Sequence, residues 1–348
     1  MLLLMILRPK SPAALRMTPA LMASTPPVVA VPTWLRRAVP DAQSLVAQGV
    51  GPNALEDIAI AAGAALGALD AVVRRQERWA GAWRQRLALG VAAAATRQAG
   101  RVEDEAALRD AVLFTRPGDD VGPAGHMLLA WRRLAARPAE ELLTEASIAG
   151  VLDALGFARD DETTNDLTDE LQRLAATEGP VGVLIGAFAA VERRGLPRTA
   201  GCWFADAMLA QRLGWMHVVP LLGGEAAGAN GSGRPRRAAT ILSRNGIEAD
   251  PERAKTLLAA QARAALRAVD LSADIGRRAD RLIAVAPGLR ARGADLVVDR
   301  LLSDDAIVAS AKIAGMSDRS LRRLFERLVE LGAVRELSGR STFRIYGI

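Results

Sequence analysis

AIVASAKIAGMSDRSLRRLFERLVELGAVRELSGRSTFRIY, residues 306–346, is the stretch of this sequence that decides its fold. Its small and apolar residues stand at the offsets that lock two helices together across a turn, namely Ala311, Gly315, Met316, Leu321 and Leu324. Gly315 can adopt the left-handed conformation that ends a first helix, and Ser317 is a natural N-cap for a second. The stretch therefore predicts a helix-turn-helix.

The predicted second helix is amphipathic. At about 100° per residue, one arc of the helix is apolar and consists of Leu321, Leu324, Phe325, Leu328 and Leu331. Arg319 and Arg323 fall on the opposite arc with Glu326, and Arg322 and Arg327 flank that arc. We expect the apolar arc to pack against the rest of the chain and the arginines to face solvent.

Two β-like runs follow this helix, residues 333–337 and 340–346. They are joined by Ser338-Gly339, a dipeptide typical of a two-residue hairpin turn. Three arginines crowd the hairpin: Arg335, Arg340 and Arg344. A helix-turn-helix followed by such a hairpin is a winged helix-turn-helix, which we expect at about 290–348.

The remainder of the chain is predicted to be helical. Half of the 348 residues are hydrophobic, which excludes global disorder, and the low aromatic content with abundant Ala and Leu favours helices. Gly and Pro breakers separate helical segments at 54–78, 79–98, 103–114, 125–136, 144–155, 164–176, 181–194, 251–269, 273–286 and 289–302. The predicted fold class is mainly α: a multi-helix body plus a C-terminal winged helix-turn-helix with a small β-hairpin.

The domain organisation follows from composition. We expect a disordered N-terminal tail (1–32), a helical body (33–224), a Gly-rich basic linker (225–237) and a helical C-terminal region (238–348) that ends in the winged helix-turn-helix. In the body, the tryptophan-rich segment around Trp203 favours a packing helix capped by Gly214 over a binding pocket. Ser303-Asp304-Asp305 is expected to cap the entry into the helix-turn-helix.

The charge is distributed unevenly along the chain. The formal net charge is +6, but residues 232–348 contain 22 Lys and Arg against 14 Asp and Glu, while residues 1–231 contain 23 against 25. The positive charge therefore belongs to the end that contains the predicted helix-turn-helix, where a phosphate backbone would require it.

Several kinds of chemistry have no support in the sequence. His126 and His217 stand in no metal-binding or catalytic motif, and no Walker A sequence occurs. The single cysteine, Cys202, excludes an intramolecular disulfide framework. No apolar run approaches the roughly 18 to 20 residues of a membrane span. We expect a cytoplasmic protein with no membrane partner, no cofactor or metal, and no enzymatic activity.

Two segments carry a resemblance to a known family. The C-terminal residues Ser317-Asp318-Arg319, 322–325 and 335–347, together with the segment around Trp203-Phe204-Ala205-Asp206, resemble an uncharacterised bacterial family of unknown function, DUF1403. The resemblance covers most of the chain from residue 33 onward and implies no activity. The C-terminal pattern is also similar to the terminal winged helix of Fic-like proteins, but the Fic catalytic motif is absent because His126 and His217 precede nothing like it.

The function predicted from these features is binding to double-stranded DNA, as a transcriptional regulator or a replicon-maintenance factor. Arg319 and Arg323 would face the major groove, with Ser320 and Arg322 at its edge, because arginine suits the acceptors of guanine. The remaining arginines would meet the sugar-phosphate backbone: Arg327, Arg335, Arg340 and Arg344. The body would form a homodimer or sense a ligand.

Two alternatives stay open at this stage. In the first, the winged helix is a protein-interaction or scaffold module of the chromosome-organisation type, and the same arginines meet acidic side chains of a partner. In the second, the helical body contains an enzyme site that no motif reveals.

Overall fold

The computed structural model describes residues 30–41, 55–116, 118–158, 160–225 and 251–348. The predicted mainly helical fold is confirmed within these ranges. Most of the predicted N-terminal tail (1–32), and all of the predicted linker (225–237) except Glu225, lie outside them. Among the described residues, none of the helices combines the length and apolar character that crossing a membrane requires.

Twelve α-helices and three short strands make up the regular structure of the described residues. The helices are α1 (Thr33–Ala38), α2 (Leu55–Val73), α3 (Ala80–Gln98), α4 (Glu105–Leu113), α5 (Gly122–Ala136), α6 (Glu145–Ala154), α7 (Asp161–Thr177), α8 (Pro180–Arg193), α9 (Arg198–Leu213), α10 (Pro251–Val285), α11 (Ala294–Ser303) and α12 (Asp318–Glu330). The strands are β1 (Ile307–Val308), β2 (Arg335–Glu336) and β3 (Ile345–Gly347). Three single turns of 3₁₀ helix lie at Ala139–Glu141, Leu222–Gly224 and Ala286–Gly288.

The long helix α10 packs along α2 inside the helical body. Both contact faces are rich in alanine, which allows the two backbones to approach closely; the buried alanines include Ala61, Ala62 and Ala65 on α2. The predicted helices 251–269 and 273–286 form this one helix. The sequence between them contains no Gly or Pro, and the hydroxyl of Ser272 donates to the carbonyl of Val269 at 2.7 Å.

The tryptophan-rich segment forms α9, and the prediction that it is a packing helix is confirmed. Trp203 and Phe204 are buried, and the indole nitrogen of Trp203 donates to the carbonyl of Ala130 at 3.1 Å. Gly214 ends the helix in the left-handed conformation, with φ 66°. The indole N–H of Trp203 therefore has a hydrogen-bond partner inside the core.

The C-terminal unit consists of α11, β1, α12, β2 and β3. Its strands form one antiparallel sheet in the order β1-β3-β2, so β3 lies in the middle. Ile307 and Glu336 both pair with Tyr346. The ring of Phe325 on α12 stacks on the ring of Tyr346 with centroids 4.2 Å apart, which fixes α12 against the sheet.

Two local expectations about this unit are wrong. No helix ends at Gly315: residues 307–308 form β1, and residues 309–317 form turns and irregular backbone. The reason is that the β-branched Ile307 and Val308 pair with β3 instead of forming a helix. The connection from β2 to β3 is not a two-residue turn at Ser338-Gly339 but runs over 337–344. Its first bend is closed by the Glu336 carboxylate, which accepts hydrogen bonds from the backbone N–H groups of Ser338 at 2.8 Å and Gly339 at 3.0 Å.

A buried ion cluster attaches the C-terminal unit to the helical body. The side chain of Asp305, which lies between α11 and β1, is fully buried. Arg109 of α4 donates from Nε to Oδ2 at 2.6 Å and from Nη2 to Oδ1 at 3.2 Å, and Arg86 of α3 donates to Oδ1 from the other side. Nη2 of Arg86 also donates to the carbonyl of Ile348 at 3.3 Å.

One carboxylate in this cluster pairs with two guanidinium groups. Burial acts to raise the pKa of Asp305, but the charge of Arg86 and the hydrogen bonds from Arg109 outweigh it, so the pKa lies below its usual value. Asp305 is therefore not the helix cap that we expected from Ser303-Asp304-Asp305. Its ion pairs with Arg86 and Arg109 connect the C-terminal unit to the helical body.

Candidate nucleic-acid interface

The helix α12 begins as its sequence predicts. The Ser317 hydroxyl accepts a hydrogen bond from the backbone N–H of Ser320 at 3.2 Å, which confirms Ser317 as the N-cap. Asp318 lies in the first turn and pairs with Lys312 at 2.9 Å; this hydrogen bond lowers the pKa of Asp318. The N-terminal end of α12 is therefore well defined.

The apolar side of α12 sets which way its polar side points. Four of the five residues assigned to the apolar arc are buried: Leu321, Leu324, Phe325 and Leu328. Leu331, the fifth, is 39% exposed, because α12 ends at Glu330 and the chain turns away at Gly332 with φ 63°. With its apolar arc packed on the sheet, the helix presents its opposite arc outward.

All the candidate residues on α12 are exposed: Arg319, Ser320, Arg322, Arg323 and Arg327. Arg319 and Arg323 lie one helical turn apart, within about 40° of each other around the axis. In the part of the chain that the structure describes, no carboxylate lies within 4.0 Å of either guanidinium. These two arginines are therefore available to an external anion.

The other side chains on this face are partly engaged. Nε of Arg322 donates to the carbonyl of Asp318 at 3.4 Å, and Arg327 pairs with Glu330 at 3.1 Å. The hydroxyl of Ser320 is 3.0 Å from that of Ser317. Acidic residues concentrate in the C-terminal half of α12, so the N-terminal half carries the unbalanced positive charge, which the helix dipole reinforces.

The predicted wing arginines lie in a different environment. Arg340 forms an ion pair with Asp110 on α4 of the helical body. The ring of Phe343, which is 70% exposed, meets the ring of Phe114 edge-on with centroids 5.6 Å apart. Arg344 is exposed, and a hydrogen bond with Tyr346 raises its pKa. The loop between β2 and β3 is therefore held against the body at Arg340 and Phe343.

Arg335 on β2 is exposed and lies close to a basic residue that sequence reasoning missed. Burial lowers the pKa of Arg278 on α10, and the positive charges of Arg335 and Arg86 lower it further. Asp274 balances part of this charge, through an ion pair with Arg278 at 2.5 Å. Arg278 and Arg335 are 57 residues apart in the chain, so no local pattern connects them.

These basic residues border a groove of about 750 Å³ between the helical body and the C-terminal unit. Its arginines are Arg86, Arg97, Arg267, Arg278 and Arg335, and its acidic residues are Glu105, Glu225, Asp270 and Asp274. Among the described residues, no cluster of three or more His, Cys, Asp or Glu side chains is arranged to hold a metal ion.

Comparison with known proteins identifies one family. A family model described as a protein of unknown function, DUF1403, matches residues 21–348. No curated protein matches the chain, and no solved structure does.

Proposed function

We propose that this chain, which belongs to the DUF1403 family of proteins of unknown function, binds double-stranded DNA through its C-terminal unit. The unit is proposed to be a winged helix in which α12 is the recognition helix and the 337–344 loop is the wing. The biological role that fits this activity is that of a transcriptional regulator or a replicon-maintenance factor.

The order of elements supports the winged-helix assignment. A helix, α11, is followed by a strand, a second helix and a two-stranded hairpin, and the first strand closes the sheet beside the last one. Residues 309–317 occupy the position of the first helix of the helix-turn-helix pair, the one that would directly precede α12. Gly315 in this segment adopts the left-handed conformation, with φ 74°. The apolar arc of α12 is buried, and Phe325 on that arc stacks on Tyr346 of the sheet, as a recognition helix requires.

The observation that carries the proposal is the exposed, unbalanced charge on the N-terminal half of α12. Arg319 and Arg323 are proposed to reach guanine acceptors in the major groove, with Ser320 and Arg322 at the groove edge. The phosphate contacts are assigned to Arg327, Arg335, Arg340 and Arg344. A homodimer would present two such helices to successive half-sites and raise the affinity.

One observation favours a second candidate function, a protein-interaction module. The 337–344 loop contacts the helical body through Arg340 and Phe343, so a wing that must lie along DNA would first have to leave α4. A protein partner with an acidic surface could meet α12 without that movement. Binding of this kind would not depend on the length of a nucleic acid.

Duplex-DNA binding tests the proposal. Fluorescence anisotropy with a labelled duplex of about 30 base pairs, at two salt concentrations, should show affinity that falls as salt rises. Arg319→Ala/Arg323→Ala should weaken binding by about 10- to 100-fold, because each arginine contact contributes roughly 1–3 kcal/mol. Arg137→Ala/Arg173→Ala, which removes the same charge from exposed positions of the body, should bind like the unmodified protein.

Two outcomes would contradict the proposal. Absence of salt-sensitive binding by the unmodified protein would argue against DNA as the partner. Unchanged binding by Arg319→Ala/Arg323→Ala, or an equal loss in Arg137→Ala/Arg173→Ala, would show that α12 does not make the contact.

The ion pair between the loop and the body gives a separate prediction. Asp110→Ala should free Arg340 and raise DNA affinity by about two- to fivefold, since an exposed ion pair contributes at most about 1 kcal/mol. Asp119→Ala removes the same charge from an exposed position close in sequence and serves as the control. An equal gain in both variants would mean that net charge, and not release of the loop, is responsible.

A further inference from the structure

A cleft of about 360 Å³ opens in the helical body, and α12 contributes no residue to its lining. It lies between the end of α2, the start of α3 and the segment 214–219. Three tryptophans contribute to its walls: Trp79, Trp83 and Trp215. The cleft has the size of a small-molecule site, and its indole rings provide apolar surface for a ligand.

Arg84 places an unpaired positive charge in this cleft. Its Nε donates to the carbonyl of Ala135 at 3.0 Å, while its two terminal nitrogens have no hydrogen-bond partner among the described residues. No carboxylate of the described residues lies within 4.0 Å of it, and burial lowers its pKa to about 10, so it is still charged at pH 7. A mostly buried cation without a counter-ion is costly, and a bound anion would remove that cost.

The other cationic groups of the cleft are already paired or neutral. Arg74 pairs with Asp70 at 2.7 Å, and Arg78 pairs with Asp299 at 3.1 Å. Burial lowers the pKa of His217, and the charge of Arg84 lowers it further, so this imidazole is neutral at pH 7. The cleft also contains the carboxylate of Glu77, which opposes a multiply charged anion. Among the described lining residues, Arg84 is therefore the cation left to receive a single carboxylate.

We propose that this cleft binds a small organic acid, with a single carboxylate on the terminal nitrogens of Arg84 and an aromatic or aliphatic group against the tryptophan rings. The planar guanidinium fork donates two parallel hydrogen bonds to a carboxylate, and indole rings provide flat apolar surface for the rest of the molecule. The backbone at the cleft is unusual as well: Gln76, which lines it, has φ 47°, a conformation that non-glycine residues rarely adopt outside special sites.

The cleft adjoins the first helix of the C-terminal unit. Ser303, the last residue of α11, lines it and packs so tightly on Gly81 that a Cβ on Gly81 would lie 2.7 Å from the Ser303 carbonyl oxygen. Arg78 bridges the cleft and Asp299 of α11. A carboxylate that attracts Arg78 would weaken its pair with Asp299. The expectation that acid binding changes DNA affinity rests on the proposed function. The expectation that the cleft binds the acid does not.

Calorimetric titration and thermal shift of the full chain test the cleft. The probes are benzoate, phenylacetate, indole-3-acetate and hexanoate, with phenylacetamide as the neutral counterpart and inorganic phosphate as the purely ionic one. At least one carboxylate should bind with a Kd below about 1 mM, and phenylacetamide and phosphate at least tenfold more weakly. Arg84→Met, which keeps the aliphatic stem, should weaken binding at least tenfold. Arg97→Met, the same change on the same helix but outside the cleft, should leave it unaltered.

A second pair of variants keeps the test decisive if Arg84→Met does not fold. Met216 is a lining residue that is 60% exposed, so substitution there is compatible with folding. Met216→Asp should weaken carboxylate binding and Met216→Lys should strengthen it. The proposal is overturned if none of the four acids binds, if phenylacetamide binds as well as phenylacetate, or if the two Met216 variants bind alike. If the chain binds an acid but not DNA, the proposal of a ligand-binding cleft stands and only the proposed DNA function is rejected.

Discussion

Replacing Asp305 with alanine will lower the free energy of unfolding by about 3–5 kcal/mol, the range expected when one partner of a buried ion cluster is removed. The side chain of Asp305 is inaccessible to solvent and accepts hydrogen bonds from Arg86 and Arg109. Without the Asp305 carboxylate, two largely buried guanidinium groups lie close together, and the remaining ion pair of Arg109 is a 4.0 Å contact with the half-exposed Glu105. Urea unfolding followed by circular dichroism measures the change.

The neighbouring residue provides a matched control. Asp304 is half-exposed, and its carboxylate is 3.5 Å from Nε of Arg300. Asp304→Ala should change the free energy of unfolding by no more than about 1 kcal/mol, because exposed ion pairs contribute little. Equal losses in the two variants would contradict the role that we assign to the buried cluster.

The effect of Asp305 should also depend on pH in a defined direction. Its pKa in the folded chain lies below the ordinary value, so its stabilising contribution is present above the unfolded-state pKa of about 4 and is lost as pH falls through the folded-state value. The stabilities of the unmodified protein and Asp305→Ala should therefore converge in acid. A gap that stays constant down to low pH would mean that packing, and not charge, accounts for the loss.

The second large effect is expected at Asp206, whose pKa is shifted the other way. Burial within α9 raises the pKa of this carboxyl group from 3.8 to about 8, although the backbone N–H groups of Leu221 and Leu222 donate to Oδ2 at 2.7 and 3.2 Å and act to lower it. The folded chain therefore retains the proton over a range in which the unfolded chain has released it. The contribution of Asp206 to stability is therefore greatest below the unfolded-state pKa and is lost as pH rises to about 8.

Asp206→Asn should remove this pH dependence. Asparagine keeps an oxygen that can accept from Leu221 and Leu222 but has no proton to lose. Relative to the unmodified protein, the variant should gain on the order of 4 kcal/mol in free energy of unfolding between pH 5 and pH 9, since each pKa unit corresponds to about 1.4 kcal/mol.

Chemical denaturation at several pH values measures this gain. Asp153→Asn, at an exposed position of α6, makes the same chemical change and should follow the unmodified protein at every pH. If the stabilities of Asp206→Asn and the unmodified protein run parallel from pH 5 to pH 9, the carboxyl group does not titrate in this range and its pKa is not raised.

Helix positions were largely predictable because they depend on residues within a few turns of each other. The helices of the body begin and end within a few residues of their predicted bounds, with the long 54–78 segment ending earlier, at Val73. The buried arc and the Ser317 cap of α12 were likewise predictable, since periodicity and capping chemistry act over three or four residues. The candidate residues of α12 share one exposed face for the same reason.

Contacts between distant parts of the chain were not predictable. Residues 307–308 form a strand because β3, almost 40 residues later, supplies the hydrogen-bond partners, so pairing overrode the local helical pattern. Asp305 was predicted to be part of a helix cap from its neighbours in sequence, whereas its two arginine partners lie about 200 residues earlier. The ion pair between Arg340 and Asp110 spans a similar distance.

The sequence by itself therefore determined the helical composition, the amphipathic helix with Arg319 and Arg323 on its outer face, and the charge that these residues carry. Only the tertiary structure decided which charged side chains form ion pairs with each other. It joins Asp305 to Arg86 and Arg109, holds Arg340 against α4, and places Arg84 in a tryptophan-lined cleft where no carboxylate of the described residues pairs with it. The physical reason is that propensity, periodicity and capping are local, whereas burial and ion pairing depend on which distant segments the packed core brings together.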